Sequence, residues 1–233
     1  MSLLTLIQDA AKRVKLDSPT VVTTSTDTLV TQMRELADQV GDDLSRRADW
    51  QELRKEVTFY ARATTDQGYL VSIASDFDRL VDESLWNRTQ VRQVEGPITA
   101  DEWQRDRASG FSGPQIKYTT RGGKLLVEPA QTSGDTLALE YISQQWCEST
   151  AGTGLTQFAD DSDLVKLPER IFKLGLIAKY LEVNGASYAE AKDEYEFAIE
   201  THTGNVSGKR VLFLGGGPPV AAVNIPSNNF PTA

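Results

Sequence analysis

Carboxylates are the groups in this chain best spaced for chemistry. Asp76, Asp78, Asp82 and Glu83 fall within eight residues, and Asp160, Asp161 and Asp163 within four. A hydrolase can use one carboxylate as acid and another as base. Three aspartates in a loop can hold calcium or magnesium, but this spacing lacks the glycine and the distal glutamate of an EF-hand loop. Helix capping, surface charge and a solvated loop account for both groups more cheaply. The lone cysteine, Cys147, has no basic neighbour to lower its pKa and no histidine near it in sequence. The one histidine, His202, reads as part of the last turn of a helix, where a cation suits the dipole. One Cys and one His so far apart exclude a conventional zinc site. Gly215-Gly216-Gly217 lacks the Lys-Ser or Lys-Thr of a phosphate loop, and prolines stand where its helix should begin. The sequence therefore predicts no catalytic set, no metal and no cofactor.

Bulk composition narrows the class. At 233 residues the chain can bury a sizeable core without staples. A single cysteine allows no internal disulfide. The net charge of −9 argues against a surface built to grip nucleic acid, since a polyanion repels an acidic face. No apolar run reaches the length of a membrane span. The first residues read as an amphipathic helix rather than a signal peptide, because Asp9 lies among the apolar side chains and no basic segment precedes them.

The elements that must position these groups follow from periodicity. Leu3, Leu6, Ile7, Ala10 and Val14 predict one helix, and Leu29, Val30, Met33, Leu36, Ala37, Val40 and Leu44 a second. Alternation of Val57, Phe59 and Ala61 with polar residues predicts a strand over 56–63, and Tyr69 to Val71 a second short one. Asp76 to Trp103 holds two tryptophans, Trp86 and Trp103, around a Gly96-Pro97 break. Phe77, Leu80 and Trp86 are expected to join helices to sheet. Thr99 begins a capping box. The clearest hairpin has strands 115–119 and 124–128 around Arg121-Gly122-Gly123, where glycine supplies positive φ. Another strand covers 136–143, and a loop runs from 146 to 163. Stripes through Leu167, Ile171, Leu174 and Leu181, then Tyr188, Tyr195 and Ile199, predict two antiparallel helices.

The expected fold is α+β: an antiparallel bundle of about four helices, a small antiparallel β-sheet or sandwich insert, and an extended C-terminal arm. The bundle would take residues 1–55 and 164–204, the β domain with its hairpin 56–163, and the arm 205–233. The end of the arm, from Val220, carries no charge, yet Val211, Leu212, Phe213, Leu214, Val223, Ile225 and Phe230 are too apolar for a solvated tail. With Pro218 and Pro219 they form an expected docking contact, since such arms bind by adding a strand or an extended segment to a neighbour. Arg121, Gly122, Gly123 and Lys124, at the turn of the hairpin, form the expected second contact.

Ser75 to Val81, Leu85 to Thr89 and Gly96 to Trp103 together resemble the tailed-bacteriophage head-to-tail adaptors, the connector or head-completion proteins of the portal-adjacent ring. The resemblance continues through Arg121 to Ala130, Leu139 to Ser143 with Trp146-Cys147, and Leu167 to Ile177. It implies a non-enzymatic virion protein of the neck, between the capsid portal vertex and the tail, assembled in the host cytoplasm. It implies a homo-oligomeric ring, usually of about twelve copies, that contacts the portal protein or a neighbouring subunit through the arm and the tail or next neck protein on the side of the hairpin. Packaged DNA would pass through the lumen without sequence-specific binding, and the ring would help retain it. Two other classes stand beside this one: a binding or scaffold module of a cellular complex using the same arm, and a carboxylate-dependent hydrolase at Asp76 to Glu83 or Asp160 to Asp163.

Overall fold

The computed structural model describes residues 1–110 and 115–206. The arm contacts expected at Val211 to Phe230 lie outside the described residues.

Spacing of threes and fours sets the first helices. In α1 (Leu3–Arg13), Leu3, Leu6, Ile7, Ala10 and Ala11 are buried, and the Ser2 hydroxyl accepts from the Thr5 N–H at the start. In α2 (Thr28–Arg47), Asp27 caps by accepting from the Leu29 N–H at 3.0 Å. A 3-10 turn at Gln51–Leu53 then feeds β1 (Arg54–Tyr60), β2 (Asp66–Tyr69), the one-turn α3 (Leu70–Ile73), β3 (Phe77–Leu80), β4 (Trp86–Asn87) and β5 (Arg92–Glu95). α4 (Ala100–Ser109) crosses over to β6 (Ile116–Arg121), and β7 (Lys124–Glu128) and β8 (Thr136–Ser143) follow. Three two-residue strands, β9 (Cys147–Glu148), β10 (Gly154–Leu155) and β11 (Leu164–Val165), form a separate small sheet. α5 (Glu169–Val183) and α6 (Ala189–Val206) close the described chain.

The sheet corrects the expected architecture. Eight strands form one mixed sheet in the order β1-β8-β4-β5-β6-β7-β2, with β3 also on β8. With six α-helices among the described residues, this is not a four-helix bundle carrying a small antiparallel insert. β5 and β6 pair in parallel, because α4 carries the chain back over the sheet between them. β3 and β4 lie one after the other along the edge of β8 opposite β1.

Chain connectivity forces this sheet to curl. β1 and β2 stand at opposite ends of the order, yet only residues 61–65 join them. Six interstrand spacings would put flat-sheet edges about 29 Å apart, and the link reaches about 20 Å at most. The curl wraps one core: Leu85, Val94, Ile116, Tyr118, Leu125, Val127, Leu137, Leu139 and Tyr141 form a buried cluster on the inner face.

A second core lies among the helices. α5 buries Ile171, Phe172, Leu176 and Ile177 against Leu6, Ile7, Ala37, Val40 and Leu44, with Trp50, Trp146 and Phe158 filling the space between. β8 serves both cores. Leu137, Leu139 and Tyr141 point into the curl, while Ile142, one residue out of phase, packs with the helices.

Three local expectations also change. Residues 70–73 turn as a helix rather than extending as a strand, and the segment 146–163 carries two of the small sheet's strands rather than loop alone. His202 sits four residues before the end of α6 with its ring centroid 5.5 Å from that of Trp50, so it packs there rather than capping the last turn.

Candidate functional site

The carboxylates singled out by spacing do not converge. Asp76 is buried at 7 % exposure between the two cores. It accepts from the Lys55 ammonium at 2.5 Å, the Ser143 hydroxyl at 2.6 Å and the Tyr141 hydroxyl at 2.8 Å. Burial alone would raise its pKa. The Lys55 ammonium and the two hydroxyls outweigh that and hold the carboxyl at about 2. The same burial and the carboxylate beside it push the Tyr141 phenol up to about 12. Asp76 is thus a tie, ionised at neutral pH, between β1, β8 and the start of β3.

Its sequence neighbours have other partners. Asp78 accepts from Arg79 at 2.7 Å. The Arg79 guanidinium also donates to Asp49 at 2.9 Å and to the Ala48 carbonyl at 2.6 Å, at the C-terminal end of α2, where a cation suits the dipole. Asp82 and Glu83 stand on the rim of a surface cleft.

Asp161 and Asp163 hold loops. Asp161 accepts from the Val22 and Thr23 N–H groups and the Thr23 hydroxyl at 2.7 to 3.0 Å. Burial raises its pKa, and these donors more than offset it, so the net shift is downward. Asp163 accepts from the Ala159 and Asp160 N–H groups, while its carbonyl accepts from Leu3 at the start of α1. Among the described residues no group of three His, Cys, Asp or Glu side chains gathers at a metal-binding distance. The Cys147 thiol is buried and donates to the Leu155 carbonyl at 3.3 Å. Burial, then Asp38 and Asp163, push its pKa up to about 12, where it is a poor nucleophile.

What the chain leaves on its surface is more informative. The sequence predicts Trp86 as an inward anchor between helices and sheet. The structure corrects this: Trp86 is 42 % exposed on the outer face, and Leu85 takes the buried position. The register of β4 on β8, Trp86 opposite Ala138 and Asn87 opposite Leu137, fixes that phase. Asn87 points inward, buried, and its amide donates to Gln131 and Asp135. Trp86 therefore stands in a cleft of about 570 Å³ across β1, β8 and β4. Two ion pairs frame the indole, Arg54 with Glu140 at 2.7 Å and Arg88 with Glu56 at 2.8 Å.

The hairpin is a second exposed feature. Gly122 and Gly123 have φ of 58° and 73°, the left-handed pair that a two-residue turn requires. Arg121, Gly122 and Gly123 are exposed and Lys124 is half-buried. The hairpin does not stand alone. β2 lines it up to the tip, the Leu70 N–H donates to the Gly123 carbonyl at 2.9 Å, and Lys124 pairs with Asp66 at 2.6 Å over the ring of Tyr69. Tyr69 and Val71 are exposed beside it, an apolar addition that sequence reading places in an ordinary strand.

Acidic groups are thus tied into the fold, while Tyr60, Tyr69, Val71 and Trp86 are left outside it. The SU10 adaptor protein family model matches residues 1–209, and the chain belongs to that family of phage head-to-tail adaptors. It is a structural phage family of the virion neck. No curated protein matches the sequence.

Proposed function

We propose that copies of this chain close into a ring of about twelve subunits beneath the portal vertex, receive the tail or the next neck protein on the other side, and help retain packaged DNA. Assembly takes place in the host cytoplasm. The observation that carries this reading is the outer face of β1, β8 and β4. A tryptophan at the centre of a charged cleft is the composition of an interface anchor, with an aromatic hot spot surrounded by a polar rim. In the ring this cleft receives the adjacent subunit. The net charge of −9 suits a lumen through which DNA slides without sticking.

Two further contacts complete the assignment. The arm, through Val211, Leu212, Phe213, Leu214, Pro218, Pro219, Val223, Ile225 and Phe230, holds the portal or a neighbour. The hairpin residues Arg121, Gly122, Gly123 and Lys124 face the tail. The buried residues of both cores all precede the arm, so deleting Lys209 to Ala233 should abolish docking on purified portals while the helical circular dichroism stays unchanged. Normal affinity of the shortened chain for portals would remove the arm from the account.

A further inference from the structure

β1 is an unfinished edge. It pairs with β8 alone. The Ala61 N–H donates to the Asp135 carbonyl at 2.7 Å, while the carbonyls of Thr136 and Glu140 accept from Arg88 and Val81 on the far side of β8. Odd-numbered residues of β1 therefore bond to β8, and Arg54, Glu56, Thr58 and Tyr60 aim their N–H and C=O groups outward. Among the described residues no strand meets them. The inner face is incomplete too. Val57 and Phe59 are half-buried, whereas their register partners Leu139 and Leu137 are fully buried. On the outer face Tyr60 is 77 % exposed. A long, regular, uncovered edge is a feature that folded proteins avoid.

The last turns of α6 pack on the segment that leads into β1. Val206 lies one helical turn past His202, whose ring packs on Trp50, and Trp50 stands four residues before β1. The sequence then offers Lys209 to Leu214, an apolar run with strand character, closed by Gly215-Gly216-Gly217 and Pro218-Pro219. The extended chain from Val206 to Val211 reaches about 17 Å.

We propose that Lys209 to Leu214 adds to the free edge of β1 in the same molecule, running from its Arg54 end toward Tyr60. Alternation then puts Val211 and Phe213 on one face and Leu212 and Leu214 on the other. One pair completes the cover over Val57 and Phe59, and the other lies beside Tyr60. The triple glycine ends the strand. This narrows the arm contact proposed above to Pro218, Pro219, Val223, Ile225 and Phe230. It does not depend on that contact, because its test contains no portal.

The test is hydrogen exchange, read by NMR, at the amides of Glu56, Thr58 and Tyr60 in the full chain. The comparison is the full chain carrying Leu212→Pro and Phe213→Pro together, since one of any two adjacent strand residues must donate to β1. The native chain is expected to exchange at least about tenfold more slowly than the variant at these amides, equally at high protein concentration and after about hundredfold dilution. Thr58→Pro, which removes an outward donor and keeps the bonds to β8, is expected to release the Val211 to Leu214 amides. Equal rates in the native chain and the double-proline variant would overturn the proposal. Protection that disappears on dilution would place another copy's segment on β1 and overturn the assignment to the same molecule.

Discussion

Trp146 packs its indole against the backbone of α2 at Gly41, where a methyl group would come within 2.5 Å of the ring. Phe158 meets the same indole edge-on at 5.0 Å between centroids, and Phe172 lies 5.8 Å away. The side chain that follows the end of β8 is thereby locked between α2 and α5. Alanine is the better helix former by about 1 kcal/mol, yet Gly41→Ala should destabilise the protein by a net ~1–3 kcal/mol through overpacking. Urea denaturation checks this, and a raised midpoint would show that the ring can move aside.

Asp76 sets the response to acid. Its folded pKa of about 2 lies below the ordinary carboxylate value of 3.8. The folded state therefore binds its proton less readily than the unfolded chain. The resulting stability is complete above pH 3.8, falls as the pH drops toward 2, and amounts to about 2 kcal/mol. Asp76→Asn should lower stability at neutral pH and flatten the loss between pH 4 and pH 2. Denaturation curves across that range read both effects.

Trp86 separates folding from assembly. Because its ring stands on the outer face, Trp86→Ala should change unfolding free energy by less than about 1 kcal/mol. Self-association should weaken by at least about tenfold. Mass photometry of native and variant proteins at matched concentrations distinguishes the two effects. A variant that assembles normally would move the subunit interface away from this cleft.

The hairpin tip gives a conformational prediction and a binding one. A methyl group at Gly122 would meet nothing within 4 Å, so the cost of Gly122→Ala comes from φ of 58° alone and should be about 1 kcal/mol. Arg121→Glu should weaken attachment of the tail or next neck protein while leaving portal docking intact. Co-sedimentation with each partner separately checks this.

Much of the helical layer was legible in the sequence. The threes-and-fours spacing of Leu3 to Ala10 and of Val30 to Leu44 is a local property, and the helices appear where it places them. The same holds for the alternation in β1 and for the glycine pair of the β6–β7 turn. What failed depends on distant pairing. β4 is two residues long, and only its register on β8 turns Trp86 outward and Asn87 inward. The donors to Asp76 come from positions 21, 65 and 67 residues away, so no local motif marks it as a buried tie. The curl of the sheet follows from the short link between β1 and β2 combined with a strand order that no single segment encodes. Family membership was legible because it rests on the order of many short segments, and the family match spans residues 1–209.

The central claim is a closed ring at the portal vertex, and the most direct test is negative-stain microscopy of the purified full-length protein with and without isolated portals. The account predicts a ring of uniform symmetry stacked coaxially on one face of the portal, with Trp86→Ala depleting it. Portals that remain bare at concentrations where the two proteins are in excess of each other's expected affinity would contradict it.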